Sequence, residues 1–153
     1  MYPEKMRPET FLMLNVALAF YLVGCIWAHE VDIFRSWKLL DVETFRRVQE
    51  AHWRKLPYWI FTPLFFAFAG SIALIWYHPN HSPLWAMWGG FLLLTLSLVL
   101  SALTWGRWQA ELSKDPLGSR SPYLRKILQS HWIRTALINC YALVLLLWLW
   151  LFL

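Results

Sequence analysis

The sequence has little charge, and long stretches of it have none. Of its 153 residues, 15% are charged and 59% are hydrophobic, whereas soluble proteins average roughly a quarter charged residues. No lysine, arginine, aspartate or glutamate occurs from Leu56 to Gly106, or anywhere after Arg134. Uncharged stretches of this length exclude an ordinary soluble domain and predict an integral membrane protein.

Cysteine is scarce, and familiar catalytic motifs are missing. Cys25 and Cys140 each fall inside an apolar run, so no disulfide framework or CxxC site is expected. Nothing resembles a nucleophile elbow, a phosphate-binding glycine loop, an HExxH metalloprotease or a pair of catalytic carboxylates within the apolar runs. The chemistry, if any, is expected from side chains at the ends of helices.

Four apolar runs approach or exceed the roughly 20 residues that a helix needs to cross a bilayer. They lack the period-two alternation of a membrane strand, so the spans are predicted to be helices. The predicted fold is one domain, residues 1–153, built as an antiparallel bundle of four transmembrane helices with a cytoplasmic amphipathic helix between the first two spans. The runs are Thr10 to Ala28, Leu56 to Tyr77, Leu84 to Trp105 and Ile133 to Leu153.

The positive charge is concentrated in two segments. The formal net charge is +5, and of 14 basic residues six lie between Arg35 and Lys55 and five between Arg107 and Lys126. Short loops rich in lysine and arginine mark the cytoplasmic side, so both termini are predicted to lie outside. This distribution favours membrane lipid as a partner and argues against nucleic acid.

Two positions carry signals for the start of a helix. Asp41 is suited to cap the amphipathic helix, which places Gln49 and His52 on one face. Ser121 followed by Pro122 is predicted to start the last helix. That helix then runs for about 30 residues, or roughly 45 Å, and is expected to extend beyond the bilayer.

Most of the 12 tryptophans lie near the predicted ends of the spans. Indole rings prefer the boundary between lipid and water, so they are predicted to anchor the bundle, with a platform for a pigment or quinone as the alternative. The predicted cytoplasmic belt is Trp27, Trp53, Trp59, Trp105, Trp108 and Trp132, and the outer belt is Trp76, Trp85, Trp88, Trp148 and Trp150.

Polar side chains gather at the predicted cytoplasmic ends of the spans, which are neighbours in an antiparallel bundle. Imidazole with carboxylate is a ligand set for zinc or iron, so one hypothesis is a metal or haem site that uses His29, Glu30, His52 and His131. A hydrogen-bonded polar layer and solvated interface histidines are the alternatives. The whole candidate cluster is His29, Glu30, Gln49, His52, His131, Arg134 and Asn139.

Arg134 lies about one turn inside His131 on the predicted last helix. A guanidinium that faces a bundle interior needs a carboxylate, and Glu30 is the predicted partner, with Glu50 and Glu111 next. Alternatively, Arg134 reaches lipid phosphate and serves as an anchor.

The run "HWIRT", from His131 to Thr135, resembles a motif of a group of small, uncharacterised bacterial four-helix membrane proteins. That group has Asn-Trp-hydrophobic-Arg-Thr at the start of its last helix, and "FRRVQEAHWRKLPYWIFTP" is similar to its second-helix entry. More remotely, the architecture resembles anthrone-oxygenase-like membrane proteins. The resemblances imply a bacterial inner-membrane protein and oxidation of an aromatic substrate without a cofactor or metal.

Besides His131 in place of the asparagine, the chain departs from that group at two further places. Arg107 and Gln109 stand where the group often has a proline and a histidine, and Ala67 lies in the region of helix two where the group often has a carboxylate. If those are active-site groups in the relatives, the corresponding site is rebuilt in this chain.

Three functions fit the sequence. The first is a non-catalytic accessory or structural subunit of a larger membrane complex or homo-oligomer, packed against partner helices, lipids or an apolar pigment. The second is a small membrane oxidoreductase or oxygenase-like enzyme with a pocket of histidine, glutamate and arginine at the cytoplasmic rim. The third is a binder of a small apolar or anionic ligand.

Overall fold

The fold was analysed from a computed structural model, which describes residues 6–152. Helices are the only regular secondary structure in this range, and all four long helices are long and apolar enough to cross a membrane. The predicted all-helical fold is thus confirmed. The helices are α1 (Pro8–Leu39), α2 (Val42–Trp76), α3 (Leu84–Leu112) and α4 (Pro122–Trp150), and a 3₁₀ turn (Gly118–Arg120) precedes α4.

The helix starts agree with the sequence signals. Asp41 caps α2 by accepting hydrogen bonds from the backbone N–H groups of Glu43 and Thr44, both at 3.0 Å. Ser121 caps α4 by accepting from the Tyr123 N–H at 3.1 Å. These side chains satisfy N–H groups that have no partner within the first turn.

A carboxylate fixes the turn before α4. Asp115 accepts from the Ser121 hydroxyl at 2.6 Å and from the Leu117 N–H at 2.9 Å. These two hydrogen bonds hold the pKa of Asp115 below its ordinary value. Their contribution to stability is therefore complete above about pH 4 and is lost as the pH falls further through the pKa of the folded protein.

The prediction of an amphipathic helix that is separate from the second span is wrong in one respect. Val42–Leu56 is helical and amphipathic, with Phe45 and Gln49 buried, but it continues without a break into the apolar part of α2. The join is a π-helical turn, Pro57–Phe61. Proline usually ends or kinks a helix, but Pro57 has helical dihedral angles, φ −56° and ψ −36°, and the chain continues through it into the wider turn.

Three of the long helices contain a π-helical turn in which a backbone N–H bonds to the carbonyl five residues earlier. In α1 the turn is His29–Ile33, closed by Phe34 N–H to His29 O; α2 has the turn at Pro57. In α3 it is Ser101–Trp105, closed by Gly106 N–H to Ser101 O. Such turns occur often at functional sites.

The last helix is the main packing partner. The most extensive helix contacts are between α1 and α4 and between α3 and α4, and α2 packs against both α1 and α3. A long apolar core runs along the four helices, and a second core lies near the two connectors. The second core comprises Phe34, Trp37, Phe45, Leu112, Leu124 and Ile127.

Two indoles predicted at the membrane boundary are instead buried. Trp105 is 3% exposed and donates to the Ser130 hydroxyl at 2.9 Å, while Trp148 is 1% exposed and donates to the Ser82 hydroxyl at 3.0 Å. Their rings fill the interior because each indole N–H has a partner there. Several other predicted belt residues are largely exposed, namely Trp27, Trp76, Trp85, Trp88, Trp132 and Trp150.

Glycines allow close packing between helices at two positions. Gly70 packs against the Asn15 side chain, and Gly90 packs against Leu145. Around Gly89, by contrast, an added Cβ would meet no atom within 4 Å.

Replacement of Gly70 by alanine is expected to destabilise the protein by about 1–3 kcal/mol, because the added Cβ would overlap the Asn15 side chain. Chemical unfolding in detergent micelles, followed by circular dichroism, measures this effect. Gly89→Ala is the matched control and should leave stability nearly unchanged, since open space surrounds that position. If both variants lose the same stability, the close approach of Gly70 and Asn15 is not important.

Candidate functional site

A cavity of about 310 Å³ lies among the four helices. Its walls are mainly apolar and aromatic, and the polar side chains come from each helix: His29 from α1, His52 from α2, Ser101 and Gln109 from α3, and Arg134 from α4. An apolar pocket with a few converging polar groups is the usual form of a small-molecule site. The apolar wall is Ile26, Phe34, Trp53, Leu56, Ile60, Phe61, Leu64, Leu98, Ala102 and Gly106.

All three π-helical turns contribute to this cavity. His29 begins the turn in α1, Phe61 ends the turn in α2, and Ser101 begins the turn in α3. Gly106 closes the α3 turn, and a Cβ added there would lie 2.9 Å from the Ser101 carbonyl oxygen. The wider turns therefore shape the cavity wall, and one of them requires the absence of a side chain.

His29 and His52 meet at the cavity. His29 Nδ1 lies 2.7 Å from the Cys25 carbonyl oxygen, which can only accept a hydrogen bond, so Nδ1 carries the proton. The neutral His29 ring then has its lone pair on Nε2, which lies 3.4 Å from His52 Nε2. His52 therefore donates Nε2–H to His29. The two rings meet edge to face, with centroids 5.1 Å apart.

Glu30 joins two basic side chains next to this pair. One carboxylate oxygen accepts from His131 Nδ1 at 2.9 Å, and the other accepts from Arg35 at 3.0 Å. Arg35 also donates from Nε to the Glu30 backbone carbonyl at 2.8 Å. His131 is 1% exposed, so this carboxylate–imidazole contact is a buried link between α1 and α4.

Arg134 does not pair with Glu30, and that predicted contact is wrong. No carboxylate lies within ion-pair distance of Arg134 among residues 6–152. Its guanidinium lies over the Trp105 ring at 6.0 Å and lines the 310 Å³ cavity. It also lines a smaller cavity of about 30 Å³ that extends towards Leu22 and Ile138.

The proposed metal ligands divide into two pairs. His29 faces His52, whereas Glu30 faces His131 and Arg35. Within the described range, no group of three or more His, Cys, Asp or Glu side chains is arranged to hold a metal ion. The four side chains of the metal-site hypothesis therefore do not converge, and the Glu30 carboxylate accepts from two basic groups instead.

Gln49 and Asn139 lie apart from the inner cavity. Gln49 is buried but lines a separate cavity of about 280 Å³ with Arg46 and Trp53. Asn139 accepts from the Trp27 indole at 3.3 Å and borders a cleft between α1 and α4. Neither residue lines the cavity that His29, His52 and Arg134 share.

Three residues of the site were not predicted from the sequence. Arg35, five residues after Glu30, was counted with the basic connector, although that spacing brings it back to Glu30 across a π-helical turn. Ser101 lies in the third apolar run and was not assigned to the site. Gln109 was noted as a departure from the resembling group, and it lines the cavity.

Comparison with known proteins adds no assignment. No family model, no curated protein and no solved structure matches this chain.

Replacement of Glu30 by alanine is expected to lower the free energy of unfolding by about 1–3 kcal/mol, because it leaves buried His131 without its acceptor. Unfolding in detergent micelles measures the loss. The control is Glu50→Ala, which breaks an exposed pair with Arg54 and should cost no more than about 0.5 kcal/mol. Equal losses in the two variants would contradict the structural role of Glu30.

Proposed function

We propose that this chain is an integral membrane protein that binds a small amphipathic acid in the cavity shared by His29, His52 and Arg134. The supporting observation is a guanidinium that lines an apolar cavity without a carboxylate partner among the described residues. The ligand is a molecule with an anionic group, such as a carboxylate, on an aromatic or aliphatic body.

Charge complementarity supports an anionic group. A planar guanidinium binds a carboxylate through two parallel N–H···O bonds, and such charge-assisted bonds are stronger in a site that excludes water. Ser101 and Gln109 offer further hydrogen bonds in the same cavity. The ligand would therefore occupy the position that an acidic side chain fills in an ordinary buried ion pair.

Size and wall chemistry support a small apolar body. A volume of about 310 Å³ is at the lower end of the range for small-molecule sites. Phe34, Trp53 and Phe61 provide aromatic wall surface. The smaller cavity beyond Arg134 offers limited space for a substituent that extends towards the middle of the bundle.

The proposed membrane placement has four antiparallel spans, with the basic connectors in the cytoplasm and both termini outside. Large apolar side chains on the outer faces of the helices support lipid contact, for example Phe65 at 66% and Leu143 at 52% exposed. The concentration of lysine and arginine in two connectors supports this orientation.

An enzyme is the second candidate function, and the His29–His52 pair is the observation that favours it. Because His52 donates its Nε2–H to His29, the free lone pair of the neutral pair is on His52 Nδ1, and both rings line the cavity that Arg134 shares, where a bound acid or phenol would be held. A positioned imidazole is the side chain that most often transfers protons in catalysis. The accessory-subunit hypothesis depends on the apolar outer surface, which lipid alone would cover equally well.

Cysteine labelling tests the membrane placement. In a Cys25→Ala/Cys140→Ala background, Asn80→Cys in the turn after α2 should react with a membrane-impermeant maleimide in intact cells. Lys114→Cys in the connector after α3 should react only after the membrane is permeabilised. Both positions are exposed, so equal labelling of the two in intact cells would contradict the orientation.

Calorimetric titration tests the ligand class. We expect 1-naphthoate to bind the purified protein about tenfold more tightly than 1-naphthalenemethanol, which has the same ring system without the charge, because only the acid pairs with Arg134. Arg134→Gln should abolish this preference, whereas Arg107→Gln, at an exposed position, should retain it. Equal binding of acid and alcohol by the unaltered protein would contradict the proposal.

A further inference from the structure

A second, strongly basic concavity lies outside the inner cavity. It has a volume of about 620 Å³ and is formed where the end of α1 meets the start of α4. Arg35 and Lys38 come from α1, and Arg120 and Arg125 come from the start of α4 and the turn before it. No acidic residue lines it. We call these four residues and the space between them the basic groove.

Most of the charge in the basic groove is uncompensated. Lys38, Arg120 and Arg125 form no ion pair within the described part of the chain, and Arg35 pairs only with Glu30. All four side chains belong to exposed residues. The N-terminus of the 29-residue helix α4 also borders the groove, and its aligned peptide dipoles add partial positive charge. The groove therefore attracts an anion of more than one charge-bearing oxygen, such as a phosphate.

An apolar cleft adjoins the basic groove. It has a volume of about 520 Å³ and lies between α1 and α4, with Trp27 and Val31 on one side and Trp132 and Ala136 on the other. Glu30 also lines it, and both of its carboxylate oxygens already accept hydrogen bonds from His131 and Arg35. Arg35 lines both the cleft and the groove. A molecule that places a phosphate in the groove can thus continue directly into apolar space.

The distance between the basic groove and the apolar cleft matches the distance between the phosphate of a lipid and the start of its acyl chains. Arg125 and Trp132 are seven residues apart on α4, which corresponds to about 10 Å along the helix axis. The polar layer on each side of a bilayer is roughly 5–8 Å thick. Exposed Trp27 and Trp132 are suited to the lower boundary of this layer, and the basic groove then lies at the level of the phosphates.

We propose that an anionic phospholipid occupies this combined site, with its phosphate in the basic groove and one acyl chain in the cleft between α1 and α4. A soluble phosphate would use the groove alone and gain nothing from the cleft. The proposal rests on the membrane placement proposed above, and it is independent of the ligand of the inner cavity.

Native mass spectrometry of the detergent-purified protein tests the site. Phosphatidylglycerol and phosphatidylcholine with identical acyl chains are titrated separately, and we expect phosphatidylglycerol to bind at least about tenfold more tightly. Arg120→Glu/Arg125→Glu should reduce its binding to the phosphatidylcholine level. Arg107→Glu/Lys114→Glu is the matched control, because it makes the same change in net charge at exposed positions outside the groove, and it should retain the preference.

Two further arms separate the sources of the phosphate. Glycerol 3-phosphate should compete poorly with the lipid, and Ala136→Trp, which fills the cleft, should weaken phosphatidylglycerol binding severalfold. Circular dichroism verifies that each variant is folded. If Arg120→Glu/Arg125→Glu does not fold, Arg120→Gln/Arg125→Gln is used in its place. The proposal would be overturned if the two lipids bound equally well, or if the control variant lost as much binding as Arg120→Glu/Arg125→Glu. Competition by glycerol 3-phosphate as strong as that by the lipid would also overturn it. The labelling experiment separately tests the membrane placement.

Discussion

The two hydrogen bonds that Glu30 accepts, from His131 and from Arg35, determine how charge is distributed at this end of the molecule. A buried carboxylate and a buried basic group normally satisfy each other, and the basic side chains at this end of α1 and α4 include Arg35, His131 and Arg134. Because His131 and Arg35 occupy the two carboxylate oxygens, Arg134 remains in the cavity with no acidic partner among residues 6–152. The ligand proposal depends directly on this division.

The π-helical turns supply the second constraint, because each wider turn changes which backbone carbonyls have donors. The Pro57 carbonyl accepts from both the backbone N–H and the hydroxyl of Thr62. Pro63 has no N–H to offer the Trp59 carbonyl four residues earlier, and the Tyr21 hydroxyl of α1 donates to it at 2.9 Å. The carbonyl that Pro63 leaves without a backbone donor therefore accepts a hydrogen bond that connects α1 with α2.

The sequence predicts the helices well and the site only in part. Long uncharged runs and the caps at Asp41 and Ser121 are local signals, so the number of helices and two of their starts follow from them. The π-helical turns have no comparable periodic pattern, and they alter which side chains face one another. For this reason the sequence indicated that His29, His52, Glu30 and His131 lie at related helix ends, but not that they separate into two pairs. The burial of Trp105 and Trp148 was missed similarly, since it depends on serines that are distant in sequence.

Gly106 has an evolutionary consequence. It lies directly after the α3 turn, borders the cavity, and has no room for a Cβ beside the Ser101 carbonyl. A larger residue there would require the backbone of the turn to shift, because the atom it meets is a main-chain oxygen. A substitution at this one codon would therefore act on the backbone of α3 beside the cavity and leave the basic and aromatic lining encoded unchanged.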